Sequence, residues 1–178
     1  MLAAVGRLIP ADGAGPGGIE AGVPEFIDRQ MELPYGYGSY FYLKGPFHPD
    51  SPVTLGYQLR FTPREIYRQG IAEADAAART SLGADFAGLG AARQDEFLAS
   101  MQQGRLALPT VPAAALFGQL LENTKEGYFS DPIHGGNRDM VAWRWIGFPG
   151  ARADFTDWID QAGVAYPYGP VSIGGNRT

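Results

Sequence analysis

More than one residue in five of this chain is glycine or proline: 25 glycines and 14 prolines among 178 residues. Glycine weakens a helix or strand from within, and proline lacks the amide donor that either would use. A chain punctuated this often is confined to modest elements joined by long irregular segments. It is not thereby disordered. Aromatic residues make up 12% and the formal net charge is only −5, which supplies apolar surface for a core. At this length the whole of 1–178 is expected to form a single domain that buries about 70% of its unfolded surface.

The same composition excludes several classes of chemistry. With no cysteine, the chain has no disulfide, thiolate-held iron–sulfur cluster, Cys-ligated zinc or covalently attached c-type haem of its own. Its two histidines, His48 and His134, lie too far apart in sequence to read as a histidine-rich metal site. A pI near 5.0 argues against a nucleic-acid binder, which would show a basic face. No run approaches the ~18 apolar residues of a membrane span. The opening Met1-Leu2-Ala3-Ala4 has no cationic region before it, so no leader is expected in this sequence.

Helical periodicity fills most of the remainder. Leu2, Val5, Leu8 and Ile9 share one face, which predicts a short helix over 2–9. A second begins near Val23, with Pro24 at a first-turn position, and ends before Pro34. Thr62-Pro63-Arg64-Glu65 is a capping box with proline at the first helical position, and the apolar pattern runs on to Gly83. A weaker helix follows over 91–103. The strongest period lies over 112–128, where Ala113, Leu116, Phe117, Leu120, Leu121, Thr124 and Tyr128 form one stripe. A short helix is predicted over 138–146 and a single turn over 155–160. No pair of alternating strands appears. The fold class is therefore all-α, a small irregular helical domain with long ordered loops rich in Gly, Pro and aromatic residues.

Residues 34–61 have no helical period and carry Tyr35, Tyr37, Tyr40, Phe41, Tyr42 and Phe47 between glycines and prolines. A loop of this length in a compact domain is usually functional. Its rings are expected to bury against the chain's own helices or against a partner.

The densest polar segment runs from Glu126 to Asp139. As a catalytic site, His134 would be the base, Asp131 or Asp139 would orient it, and Arg138 would clamp an anion. As architecture, Asp131-Pro132 starts a turn, Gly135-Gly136 permits positive φ, and Asn137 caps a helix opening at Arg138. Neither a phosphate-loop nor a dinucleotide-binding pattern is present. Trp143 and Trp145 stand two apart, so on a helix they face different sides. Tyr166-Pro167-Tyr168-Gly169-Pro170 reads as an extended tail lying in a groove or reaching across a subunit boundary. A hydrolase using His134 and Asp131, or a sugar-binding module using the Trp and Tyr faces, remains open beside a binding or assembly role.

Several blocks together resemble the gluconate 2-dehydrogenase subunit 3 family. They are Ala4–Asp12, Glu20–Gln30, Tyr57–Leu59, Glu126–Pro132, His134–Met140, Trp143 and Ile146–Arg152. The resemblance implies a non-catalytic small (gamma) subunit with no cofactor of its own. Its partner would be a large FAD-binding flavoprotein of the glucose–methanol–choline oxidoreductase kind that oxidises a sugar or sugar acid. A multi-haem cytochrome c, or an iron–sulfur cluster on the partner, would carry electrons onward. It also implies a periplasmic, membrane-associated complex whose small subunit aids assembly and carries a twin-arginine export leader. No such leader stands in this sequence, which is therefore expected to be a mature form. The fingerprint Glu126, Asp131, His134, Gly135, Gly136, Asn137, Arg138, Asp139 and Trp143 is expected to be structural or interfacial, with no catalytic, cofactor or metal role.

Overall fold

Thr62 fixes the start of the longest helix by local chemistry. Its hydroxyl accepts from the Glu65 amide, and the Glu65 carboxylate accepts from the Thr62 amide. In a computed structural model that describes residues 1–13 and 15–175, this capping box opens α3, Pro63–Leu82. The helix stops at Gly83, whose φ of 83° no other residue adopts as readily. The other helices are α1 (Leu2–Leu8), α2 (Val23–Met31), α4 (Ala91–Gln102), α5 (Ala113–Phe129) and α6 (Val141–Ile146). The described residues contain two isolated bridges, Asp12–Gly15 and Gly150–Val171, and no strand. The fold is all-α.

Contacts group the chain into two compact units, with the division falling inside α2 and inside α5. The first unit runs from Asp28 to Glu122 and includes Met1 and Ala3. In its core the absence of a side chain at Gly70 lets α3 approach α5: a Cβ there would lie 3.0 Å from Leu116. Gln119 Nε2 donates to the Pro63 carbonyl at 2.8 Å, and the Tyr67 hydroxyl donates to the Gln119 carbonyl at 3.4 Å. Ile66, Leu116, Phe117 and Leu120 of these two helices are buried.

The aromatic loop divides its rings. Phe41 stacks edge-on against Tyr57 at 4.9 Å and lies 6.0 Å from Tyr35. With Ile66 and the first turns of α5, these three line a groove of about 660 Å³. Burial pushes the Tyr57 phenol up to about 12, so it keeps its proton and donates it to the Phe61 carbonyl. Tyr40 and Tyr42 remain 76% and 75% exposed. Arg64 ties the loop to α2 and α3. Its guanidinium donates to the Met31 carbonyl and the Tyr37 hydroxyl and pairs with Glu32 at 2.9 Å.

The second unit comprises Ala4–Ile27, Leu2 and the chain from Asn123 onward. Val5, Val23, Phe26, Ile27, Tyr128, Met140 and Trp143 form its core. Here the predicted helix over 138–146 is divided. Arg138–Met140 form one 3₁₀ turn, and α6 begins only at Val141. The cause is backbone geometry, since Asn137, Asp139 and Met140 have φ of 44°, 55° and 54° and cannot continue an α-helix.

The segment before α5 is fastened by Glu73 of α3, whose carboxylate accepts from the Thr110 and Val111 amides at 3.1 and 3.2 Å. Burial pushes this carboxyl up, but its hydrogen bonds with Thr110 and Val111 outweigh that and hold it below 4.5. A carboxyl depressed in the folded state stabilises the fold above its unfolded value and loses that contribution as pH falls through the folded value. Glu73→Gln is therefore expected to cost about 1 kcal/mol at pH 7. The gap to the wild type should close between about pH 5 and pH 3, as read by urea unfolding across that range.

Candidate functional site

The polar segment that follows α5 is organised around one buried amide side chain. Asn137 is 0% exposed. Its Nδ2 donates to the Ser130 carbonyl, and its Oδ1 accepts from the Ala142 amide, both at 3.0 Å. The side chain thus joins the end of α5 to the first turn of α6. The expected cap of a helix opening at Arg138 is not formed: Asn137 makes no side-chain bond to the turn Arg138–Met140, and from a left-handed conformation it instead accepts from Ala142 in the first turn of α6. Asparagine tolerates that region better than other non-glycine residues.

The neighbouring fingerprint residues serve the same framework. Asp131, buried at 8% exposure, accepts from the Ile133 amide at 3.0 Å through Oδ1 and from the Ile173 amide at 2.7 Å through Oδ2. It therefore caps the 3₁₀ turn Pro132–His134 and also anchors the C-terminal segment. Gly135 ends that turn at φ 97°. Gly136 lies against the last turns of α5, where a Cβ would come within 2.1 Å of the Gly127 carbonyl oxygen. No side chain fits there. Trp143 donates its indole N–H to the Phe129 carbonyl at 2.8 Å and stacks edge-on against Phe148.

The other charged members lie at the surface. Glu126 accepts from Asn123 Nδ2 at 2.8 Å. The Arg138 amide donates to the Ala21 carbonyl, and its guanidinium stands 3.6 Å from Glu25. Asp139 and His134 are exposed. The structure brings Asp131, Gly136, Asn137 and Trp143 into one framework but does not pair Asp131 with His134. Both oxygens of Asp131 are taken by backbone amides, and the His134 ring makes no hydrogen bond or ion pair among the described residues.

Sequence reasoning missed Gly127, where a Cβ would lie 2.6 Å from the Phe26 ring, and the bond from Asp131 to Ile173. The first could have been suspected from a glycine inside a strongly periodic helix. The second has no local signal. The two tryptophans do face different ways: Trp143 is 6% exposed and Trp145 is 53% exposed. Among the described residues no three His, Asp or Glu side chains gather as a metal site, and no helix is long and apolar enough to cross a membrane.

Residues 1–150 match the family model for gluconate 2-dehydrogenase subunit 3, and that span contains the whole framework from Ser130 to Trp143. The chain belongs to this family. Neither a curated protein nor a solved structure matches it. As a gluconate 2-dehydrogenase subunit 3, it is a subunit of a gluconate 2-dehydrogenase-like complex.

Removing the Asn137 side chain leaves a buried amide and a buried carbonyl without these partners, at about 1–3 kcal/mol each. Alanine at φ 44° adds about 1–2 kcal/mol, which glycine avoids. Asn137→Ala should thus lower stability by about 4 kcal/mol and Asn137→Gly by about 1 kcal/mol less, as measured by urea unfolding. Losses under about 1 kcal/mol for both would show that the side chain does not hold the two segments.

Proposed function

We propose that this chain is the non-catalytic small subunit of an FAD-dependent sugar or sugar-acid dehydrogenase, and that it stabilises the large flavoprotein subunit and escorts it through assembly and export. The observation that carries the reading is the disposition of the fingerprint. Asp131, Asn137 and Trp143 all bond to main chain, and no carboxylate bonds the His134 ring among the described residues. A hydrolase built on His134 would need a carboxylate on its ring, and Asp131 is engaged elsewhere.

The second unit exposes an apolar run beside its charged residues. Trp145, Ile146 and Phe148 are about half exposed in a run of four residues at the end of α6. Aromatic side chains of this kind supply the anchors of subunit interfaces, and isolated monomers seldom expose them together. The partner would be a flavoprotein of the glucose–methanol–choline oxidoreductase kind, with FAD and any iron–sulfur cluster on it and a multi-haem cytochrome c as the electron outlet. The complex would sit at the periplasmic face of the membrane through those partners, after twin-arginine export.

The test is co-expression with the large subunit followed by purification through a tag on this chain. A yellow complex with one flavin per pair is expected, while the chain alone is colourless and inactive with sugars and an artificial electron acceptor. His134→Ala should lower the yield of complex and leave turnover per flavin within about twofold. Near-stoichiometric flavin, iron or haem on the isolated chain, or a large loss of turnover in a fully flavinated His134→Ala complex, would overturn the proposal.

A further inference from the structure

The chain from Ala151 to Pro170 leaves the body of the second unit and returns to it as a closed loop. Its base is a two-bond ladder. The Ala151 amide donates to the Val171 carbonyl at 2.7 Å and the Val171 amide to the Pro149 carbonyl at 3.2 Å. Gly150 makes this closure possible, since a Cβ there would lie 2.2 Å from the Val171 oxygen. Two residues on, the Asp131 carboxylate holds the returning strand at the Ile173 amide. A loop whose ends are fixed together and whose interior is packed by its own side chains is a preformed surface element.

Tyr166 gathers the rings of the loop around it, although Phe155 and Tyr168 are themselves 46% and 63% exposed. The Phe155, Trp158 and Tyr168 rings stand 5.4, 5.6 and 5.5 Å from Tyr166. The Arg152 guanidinium lies 5.3 and 5.5 Å from the Tyr166 and Tyr168 ring centres and donates to the Gly169 carbonyl. The exterior is apolar at its tip, where Ile159 is 78% exposed and Val164 54% exposed. The loop also carries Asp154, Asp157 and Asp160, all exposed, while its one cation, Arg152, is engaged with the Tyr166 and Tyr168 rings. The loop thus presents Ile159 and Val164, beside the partly exposed Phe155 and Tyr168 rings, on a stretch with three exposed carboxylates.

We propose that the 151–170 loop is a docking element that inserts Ile159 and Val164 into an apolar recess flanked by Arg or Lys on the large subunit. The inference rests on the subunit reading and adds the contact surface to it. Charge selects the occupant. A second copy docking through the same loop would set carboxylate against carboxylate, and an anionic lipid surface would be repelled in the same way. A basic-rimmed protein recess satisfies both features of the loop. Because the loop is already closed and packed, docking orders little chain. It also lies beyond residues 1–150, the span that matches the family, so it is suited to selecting one large subunit in particular.

The experiment measures affinity and association rate of the full chain for the flavin-loaded large subunit at low and high salt. Ile159→Asp should weaken binding at least tenfold, with Ile159→Ala/Val164→Ala as a milder second variant. Asp154→Asn/Asp157→Asn/Asp160→Asn should slow association about three- to tenfold at low salt and flatten the salt dependence. All three substitute exposed positions, and thermal unfolding should leave each variant folded. If the wild-type chain binds and every loop variant binds equally well, the docking inference fails and the subunit reading stands. If the wild-type chain does not bind the flavoprotein at all, the subunit reading fails and takes this inference with it. A wild-type dimer that the loop variants convert to monomer would assign the loop to a second copy and overturn the proposal.

Discussion

The second unit depends on Asn137 more than on any other side chain. Its amide satisfies one carbonyl at the end of α5 and one amide at the start of α6, and the side chain is fully buried. That stitch holds three residues at positive φ within four positions, a conformation that persists only where the surroundings over-determine it. Met140 is thereby turned into the core and Arg138 and Asp139 to the surface. Asp131, six residues earlier, extends the framework to the C-terminal segment.

A framework of this type explains why a segment rich in acids, a histidine and an arginine need not be an active site. Catalytic groups keep a free lone pair or proton aimed at substrate. The buried groups here are aimed at the main chain. On the proposed reading, contact with a partner falls to the aromatic end of α6 and the closed loop after Gly150. The first unit follows the same economy. Tyr57 and Gln119 bond to backbone carbonyls, while Tyr40 and Tyr42 face outward.

Much of this was legible in the sequence wherever the determining chemistry is local. The Thr62–Glu65 capping box and the α5 stripe announce themselves within four and seventeen residues. So do the Asp131-Pro132 turn and the positive φ of Gly135. The start of α6 was not legible, because a helical pattern over 138–146 is overridden by left-handed residues that only the buried Asn137 bonds sustain. Nor was the Asp131–Ile173 link, whose partners stand 42 residues apart, or the closure at Gly150, where the reason for glycine is an atom that arrives 21 residues later. The division inside α2 and α5 is equally silent, since the helical period runs through both.

The central claim is that residues 126–143 are framework and that contact is made elsewhere. Amide hydrogen exchange, followed residue by residue with and without the large subunit, tests it most directly. The account predicts that the Ala142 amide is strongly protected in the chain alone and unchanged by the partner. Amides of 145–148 and 154–164 should gain protection only in the complex. Free exchange at Ala142 in the isolated chain, with protection appearing only when the partner binds, would contradict it and make the fingerprint the interface itself.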